Sequence, residues 1–132
     1  MMETIVKDGG ACMHVTGCFG YRDLPCGEAS ARAFLAQYQS TGVLDFADCP
    51  GVYRARIDRE DGTAVWFADN YGGSSFFINW QTGTISPSLY ESAAPEERKP
   101  NPVAIAEFLY FGCTYSYDTI FSGVTRSDPD CY

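Results

Sequence analysis

The residues with the greatest chemical potential in this sequence are its cysteines and its single histidine, His14. A thiolate beside a base is a nucleophile, and cysteine together with histidine binds zinc. The six cysteines are Cys12, Cys18, Cys26, Cys49, Cys113 and Cys131. Their spacing around His14 does not match a zinc site, and no Cys-x-x-Cys pair occurs. We therefore predict no metal and no cofactor, and we expect free, mostly buried thiols.

Two other groups of polar residues look functional but have simpler structural explanations. The run Gly72-Gly73-Ser74-Ser75 resembles part of a pyrophosphate-binding loop, yet it lacks the acidic residue and lies between two strands, which favours a tight turn. The neighbouring carboxylates Glu60 and Asp61, like Glu96 and Glu97, lie in polar segments. They are predicted to be solvated and not to act as an acid and base pair.

Charge and hydropathy exclude several classes of partner. The chain has 132 residues with a net charge of −8, which disfavours contact with phosphate backbones and anionic membranes. No lysine or arginine interrupts the aromatic-rich segment from Thr63 to Gln81, so base stacking is not expected there. No apolar run reaches the roughly 20 residues of a membrane helix, and no secretory signal pattern is present. The sequence predicts a cytoplasmic protein in which a disulfide framework is not required.

The first half of the chain predicts a strand and a helix after a disordered leader. Residues 1–11 are polar with two glycines near their end, and we expect them to be disordered or not native to the protein. Residues 12–21 alternate as in a strand broken by glycine. Residues 28–39 place apolar side chains at helical spacing, and Gly42 follows as a C-cap. The buried face of this helix is predicted to be Ala31, Phe34, Leu35 and Tyr38.

The middle of the chain predicts an antiparallel meander. Strands are expected at 51–58, 63–69, 74–80 and 84–86, with an Asp-Gly turn at Asp61-Gly62. In the first strand, Tyr53, Ala55 and Ile57 should face the core. The second strand is apolar on both faces around Trp66, so we expect it in the middle of a sheet that is covered on both sides.

A proline-rich connector over residues 91–102 precedes a second predicted helix. Asn101 is suited to cap that helix, Pro102 to begin it and Gly112 to end it. Its buried stripe is predicted to be Val103, Ala106, Leu109 and Tyr110. The fold class is thus α+β, an antiparallel meander with two short helices forming one domain over residues 12–126. Residues 127–132 are expected to begin a truncated connection to a further domain.

The order of these motifs resembles the N-terminal domain of asparagine synthase-related proteins. In that family a strand ends in a turn of the type Asp-Arg-Phe-Gly, and a later helix is followed by a Phe-Gly stop. Residues 104–109, 111–112 and 119–124 resemble the helix, the stop and the segment after it, and the resemblance extends over residues 28–126. The residues that resemble the turn, expected to be structural, are Asp69, Asn70, Tyr71 and Gly72.

The resemblance implies a class II glutamine amidotransferase of the Ntn-hydrolase fold, in shortened form. Such a domain hydrolyses glutamine and passes ammonia to an ATP-using synthetase in asparagine biosynthesis. Its nucleophilic cysteine must be the first residue of the mature chain, because its own amine is the base. Here Met1, Met2 and Glu3 come first, so Cys12 is the weak candidate, exposed only by cleavage after Ala11.

The parts that grip glutamine are also missing. Only fifteen residues separate Cys12 from Glu28, and the sequence contains no Asn-Gly pair. We therefore expect a degenerate, non-catalytic domain that serves as structural partner of a synthetase domain or partner protein. Two alternatives stay open: a cysteine amidohydrolase activated by cleavage before Cys12, and a stand-alone protein- or peptide-binding module that uses Arg54 and Arg56.

Self-association is a further expectation from the sequence. Relatives of this kind commonly pair through the domain, and the C-terminal part of the chain carries aromatic side chains that would otherwise be uncovered. These residues are Tyr115, Tyr117, Phe121 and Tyr132. A homodimer is therefore expected, whereas nucleic acid and membranes are not expected as partners.

Overall fold

The computed structural model describes residues 2–128, which fold into antiparallel sheets and two α-helices. This confirms the predicted α+β class. The chain divides into two compact units, one extending to Ser74 and the other spanning Ser75–Asp128, where the sequence predicted one domain over residues 12–126. Within residues 2–128, neither helix is long and apolar enough to cross a membrane. The expected connection over residues 127–132 falls outside the described residues from position 129 onward.

The first unit is a four-stranded antiparallel sheet with one helix. Its strands are β1 (Glu3–Asp8), β2 (Ala11–Phe19), β3 (Gly51–Asp58) and β4 (Ala64–Ala68), and they lie side by side in that order. The helix α1 (Glu28–Thr41) lies in the connection between β2 and β3. All neighbouring strands are antiparallel, so β2 is hydrogen-bonded on both sides.

The expectation of a disordered leader over residues 1–11 is wrong for the described residues 2–11, because β1 pairs with β2 along its whole length. Gly9 and Gly10 both have positive φ angles, 49° and 87°, which suits the tight turn of a two-residue hairpin. Val6 is only 1% exposed and belongs to the core of this unit. A single buried valine and a Gly-Gly turn thus order a segment whose overall polarity suggested a disordered leader.

Strand β2 also continues where the sequence predicted a break. Gly17 has a φ of 109°, and a Cβ atom there would collide with the carbonyl oxygen of Val52 on the neighbouring strand. Because glycine has no side chain, β3 can approach closely, and the ladder runs on to Phe19.

One face of the sheet packs against α1 around an aromatic core. The predicted buried face of α1 is confirmed, as is the inward set of β3, and α1 ends at Gly42 as expected, with a φ of 70°. The ring of Phe34 lies 5.4 Å from Phe19 and 5.6 Å from Phe67, so the helix contacts strands β2 and β4 through one side chain. The Phe19–Phe34 contact is edge-to-face, and contacts of this kind add to the burial of the rings.

Strand β4 is an edge strand, so its predicted place in the middle of a sheet covered on both faces is wrong. Only Phe67 is fully buried in it, whereas Val65 and Trp66 remain partly exposed. The meander stops here because the segment after β4 turns away and its next strand pairs in a different sheet.

A disulfide joins Cys18 and Cys26, which corrects the expectation that all cysteines are free. The chain folds back after β2, where the Gly27 N–H donates to the carbonyl oxygen of Phe19, and this brings the two cysteines together. The free cysteines among the described residues are Cys12, Cys49 and Cys113, and none of them is fully buried. Cys131 lies outside the described residues.

The second unit holds a small three-stranded sheet and helix α2. The strands are β5 (Phe77–Asn79), β6 (Thr84–Ser86) and β7 (Val124–Arg126), with β5 in the centre. Strand β5 is shorter than the predicted 74–80, and β7 was not predicted. A short 3₁₀ turn at Pro95–Glu97 lies in the connector before α2.

The connector of residues 91–102 is more ordered than predicted. Ser92 and Ala93 are buried, and a carboxylate oxygen of Glu97 accepts hydrogen bonds from the Ala94 N–H (3.0 Å) and the Asn79 side chain (3.4 Å). Glu97 is therefore a structural acceptor, which corrects its prediction as a solvated residue.

Helix α2 (Pro102–Phe111) begins and ends as predicted. Asn101 accepts a hydrogen bond from the Ala104 N–H through its Oδ1 atom (3.3 Å), and Gly112 has a φ of 77°. Its predicted buried stripe is wrong: the one buried residue of α2 is Ala104. The apolar stripe is present, but the described residues of the chain do not cover it.

The order of β1 can be tested with two valine substitutions. Val6→Ala should lower the free energy of unfolding by about 2 kcal/mol, because it removes two buried methyl groups and leaves a small cavity. Val43 is 60% exposed, so Val43→Ala should change it by less than about 0.5 kcal/mol. Urea denaturation of both variants measures the difference, and equal stabilities would contradict an ordered β1.

Candidate functional site

The face of the first sheet that does not touch α1 carries a cluster of polar side chains from its two central strands. In the register of β2 and β3, Cys12 lies opposite Asp58, and His14 lies opposite Arg56. Because side chains alternate along a strand, all four point to the same face. About a third of each of the His14, Arg56 and Asp58 side chains is exposed.

These four side chains form a continuous line of contacts, which we call the β2–β3 cluster. The Cys12 Sγ atom lies 3.4 Å from His14 Nε2, and the same Nε2 atom lies 3.3 Å from Asp58 Oδ2. Arg56 Nη2 donates to Asp58 Oδ2 at 2.7 Å. The Arg56 guanidinium also lies over the Trp66 ring, 5.3 Å from its centre. This cluster could not be predicted from the sequence, because α1 separates the two strands that form it along the chain.

The geometry of the cluster does not make a catalytic relay. In a Cys-His-Asp relay the thiol contacts one ring nitrogen while the carboxylate orients the ring through the other. Here both groups face Nε2, which in a neutral imidazole either donates or accepts but cannot do both. The Asp58 carboxylate is also bonded to Arg56. The arrangement is that of a cross-strand polar network.

The backbone of Cys12 is equally unsuited to the chemistry of an N-terminal nucleophile. Cys12 is the second residue of β2 and pairs with Lys7 on β1 and Asp58 on β3. Its nitrogen belongs to the peptide bond with Ala11 and is not a free amine. Removal of residues 1–11 would also remove the whole of β1 from the sheet and leave the core without Val6.

The four residues that resemble the family turn close the end of β4. Asp69 is buried, and its two carboxylate oxygens accept hydrogen bonds from the N–H groups of Gly73 and Ser74, both at 2.8 Å. Gly72 has a φ of 69°, and Asn70 is exposed, as is Tyr71. The segment is an Asp-stabilised turn.

The hydrogen bonds of this turn argue against a phosphate-binding loop at residues 72–75. The N–H groups of Gly73 and Ser74, which would have to contact a phosphate, donate to the Asp69 carboxylate. A carboxylate already occupies the position that an anion would take.

Asp61 plays a comparable local role, since its Oδ1 atom accepts from the Thr63 N–H (2.9 Å) and hydroxyl. These hydrogen bonds lower the pKa of Asp61.

The arginine face that the binding-module alternative requires is only partly accessible. Arg54 and Arg56 are both partly buried. The Arg56 guanidinium is engaged by Asp58 and Trp66. In the described part of the chain no three His, Cys, Asp or Glu side chains are arranged to hold a metal ion.

The free thiols differ strongly in their surroundings. Burial, together with the nearby Asp45 and Asp48 carboxylates, raises the pKa of Cys49 from 9.0 to about 12. This thiol stays protonated at neutral pH and is a poor nucleophile. Cys113 is exposed to solvent in the second unit.

Helix α2 with the turn after it is an exposed apolar feature of the second unit. We call it the α2 surface, and each of its residues is between 53% and 84% exposed. Its members are Val103, Phe108, Leu109, Tyr110, Phe111 and Tyr115. An open groove of about 510 Å³ runs along it, and the one charged residue lining this groove is Glu107. The Glu107 carboxylate accepts a hydrogen bond from the Tyr115 N–H (3.2 Å).

Comparison of the chain with protein-family models, curated proteins and solved structures gave no match. The resemblance to asparagine synthase-related proteins therefore stays a prediction from the sequence.

The structural role of the turn can be tested by substituting Asp69. Asp69→Ala leaves the Gly73 and Ser74 N–H groups without their acceptor, so we expect a loss of about 2 kcal/mol in the free energy of unfolding. Tyr71 is 90% exposed, and Tyr71→Ala should change stability by less than about 0.5 kcal/mol. Thermal or urea denaturation measures both effects. An Asp69→Ala variant with an unchanged free energy of unfolding would show that the carboxylate does not hold the turn.

Thiol labelling tests the disulfide and the environment of Cys49 together. In the native protein at pH 8, iodoacetamide should modify exposed Cys113 faster than Cys49 by on the order of a hundredfold, because the Cys49 thiolate is suppressed. Cys18 and Cys26 should be labelled only after reduction. Peptide mapping by mass spectrometry separates the sites, and rapid labelling of Cys49, or of Cys18 without reductant, would contradict the structure.

The raised pKa of Cys49 also predicts a pH dependence of stability. Because the folded state holds this proton more tightly than the unfolded state, the contribution to stability is complete below pH 9 and is lost as the pH rises towards 12. Cys49→Ala should remove this part of the decline in the free energy of unfolding between pH 9 and 12. Urea denaturation across that pH range measures the difference. Identical pH profiles for the two proteins would contradict the raised pKa.

Proposed function

We propose that this chain is a non-catalytic, shortened glutamine amidotransferase-like domain of an asparagine synthase-related protein. In this proposal it serves as a structural and interaction partner of an ATP-dependent, amide-forming synthetase domain. The observation that carries the proposal is the position of Cys12, the one candidate nucleophile, inside a continuous three-strand ladder.

Cys12 lacks both kinds of base that activate a cysteine. Its α-nitrogen is an amide in β2, so it cannot accept the thiol proton as an N-terminal amine does. The adjacent imidazole of His14 faces a carboxylate through the same Nε2 atom that faces the thiol. The strands that carry Cys12 and His14 also carry the core residues Met13, Val15 and Ala55, which hold their backbone in place.

The acid at the start of α1 is also unsuited to gripping glutamine. Glu28 is the acidic residue in the first turn of α1, and its carboxylate bonds to Arg32 at 2.6 Å on the helix surface. Both side chains are more than half exposed. An acid that faces solvent on the outside of a helix stabilises the helix and does not form part of a ligand cradle.

An assembly role agrees with the distribution of apolar surface. Monomeric proteins rarely expose contiguous apolar patches beyond a few hundred Å², and larger patches mark interaction sites. The α2 surface combines four aromatic rings with Leu109 and Val103, all more than half exposed. A domain that has lost its chemistry but keeps such a surface acts through contacts with other proteins.

A second candidate is a cysteine hydrolase with His14 as its base, which differs from the cleavage-activated amidohydrolase expected from the sequence. One observation favours it: the 3.4 Å contact between Cys12 Sγ and His14 Nε2. In this alternative His14 takes the thiol proton after Asp58 turns fully to Arg56. A hydrolase of this type would lose its activity in both Cys12→Ser and His14→Ala.

The cytoplasmic location predicted from the sequence belongs to the same proposal. It requires the Cys18–Cys26 pair to be reduced in the cell, since the cytosol keeps thiols reduced. The loop that carries this pair is also held by Ser30, whose hydroxyl donates to the Pro25 carbonyl oxygen at 2.7 Å and accepts from the Tyr21 N–H at 3.0 Å. Reduction is therefore compatible with retention of the fold.

A glutaminase assay tests the proposed function. Purified protein incubated with millimolar glutamine should release no more glutamate than the Cys12→Ser variant, which is the matched control for a thiol-dependent reaction. Glutamate release in stoichiometric excess that disappears in Cys12→Ser would overturn the proposal. Loss of that activity in His14→Ala as well would identify the second candidate.

A further inference from the structure

The disulfide between Cys18 and Cys26 lies on the surface where the chain passes from β2 to α1. Cys18 is the residue before the last of β2, and Cys26 comes two residues before the first residue of α1. Both cysteines are exposed. A dissolved thiolate can therefore reach their sulfur atoms without unfolding of the chain, and exposed disulfides of this kind include the labile and regulatory ones.

The loop between the two cysteines is held by hydrogen bonds that do not depend on the disulfide. The Ser30 hydroxyl donates to the Pro25 carbonyl oxygen at 2.7 Å and accepts from the Tyr21 N–H at 3.0 Å. The Arg22 N–H donates to the carbonyl oxygen of Asp48 at 2.8 Å. These contacts keep the Cα atoms of the two cysteines near their separation of 5.3 Å, which suits a disulfide, when the sulfur atoms are not joined.

The two sulfur atoms differ in their electrostatic surroundings. Cys26 directly precedes Gly27, the N-cap of the 14-residue helix α1, which has no side-chain cap among the described residues. The partial positive charge at a helix N-terminus stabilises a nearby thiolate. The acid of the first turn, Glu28, is bonded to Arg32 at 2.6 Å, and the loop between the cysteines adds one arginine and one aspartate. Cys18 lies in a strand and has no such helix terminus beside it, so Cys26 is the better thiolate of the two.

We propose that Cys18 and Cys26 form a reversible redox pair that exchanges with disulfides and thiols in solution. In the oxidising direction the Cys26 thiolate attacks a small disulfide such as oxidised glutathione, forms a mixed disulfide and releases one glutathione thiolate. The Cys18 thiol then gives its proton to solvent and attacks the Cys26 sulfur, which releases the second glutathione as a thiolate. Two protein thiols are oxidised, and one external disulfide is reduced to two thiols.

This activity goes beyond the proposed function, because it uses neither Cys12 nor His14. The pair lies at the opposite end of β2 from Cys12. It also agrees with the proposed cytoplasmic location: the pair is open where glutathione is reduced and closes when glutathione becomes oxidised.

Reduction of the folded protein tests whether the disulfide reacts without unfolding. Dithiothreitol should open the Cys18–Cys26 bond at a rate that changes less than about twofold when urea is added below the unfolding transition, since no unfolding step is needed. The far-ultraviolet circular dichroism should stay the same after reduction, because the hydrogen bonds of Ser30 remain. A rate that rises steeply with urea, or loss of the fold on reduction, would overturn the proposal.

Equilibration with reduced and oxidised glutathione tests whether the fold holds the two thiols together. The equilibrium constant for closing the bond should be at least about tenfold larger in the native chain than in the same chain unfolded in guanidinium chloride, where the loop is free. Peptide mapping by mass spectrometry identifies which cysteines are joined. Equal constants, or a bond from Cys18 or Cys26 to any other cysteine, would contradict the redox pair.

Two reciprocal serine variants test the role of Cys26. Iodoacetamide at neutral pH should alkylate Cys26 in Cys18→Ser at least about fivefold faster than it alkylates Cys18 in Cys26→Ser, because more of Cys26 is thiolate. Both variants lack the disulfide, so they differ only in which thiol remains. Exposed Cys113 is the internal reference and should react equally in the two. Equal rates, or a faster Cys18, would overturn Cys26 as the attacking sulfur.

The outcomes separate this inference from the proposed function. Failure of the exchange would overturn only the redox pair, since the glutaminase assay depends on Cys12. Glutamate release that disappears in Cys12→Ser would overturn only the proposed function, because that variant keeps Cys18 and Cys26.

Discussion

The structure of the first unit depends on the pairing of β2 with two antiparallel neighbours. This pairing turns alternate residues of β2 towards α1, where they form the core, and the others towards the polar face that carries Cys12 and His14. It also fixes the Cys12 nitrogen in a peptide bond inside the ladder. The uncleaved chain has no free amine at Cys12, and removal of residues 1–11 would take β1 out of the sheet.

Elements with strong local signals could be predicted from the sequence. Helix α1 has a clear apolar period and a glycine C-cap, β3 alternates strictly, and α2 has Asn, Pro and Gly at its ends. Strand β1 was missed because one buried valine decides its order. Long-range strand pairing could not be predicted from the sequence, because it depends on strand register. This applies to the end of the meander after β4 and to the approach of Asp58 to His14.

The exposure of α2 shows a different limit of sequence analysis. The stripe of Val103, Ala106, Leu109 and Tyr110 was correctly identified as apolar and helical, and it was wrongly expected to be buried within the chain. A periodic pattern says that a helix face needs a partner but does not say which molecule supplies it.

The central claim is that Cys12 never becomes the first residue of a mature chain. Intact-mass spectrometry of the protein purified from its native host tests this directly. The account predicts a mass that includes β1 and the Gly9-Gly10 turn, less at most the initiator methionine. A species that begins at Cys12 would contradict it, because cleavage after Ala11 supplies the free amine that the uncleaved chain lacks.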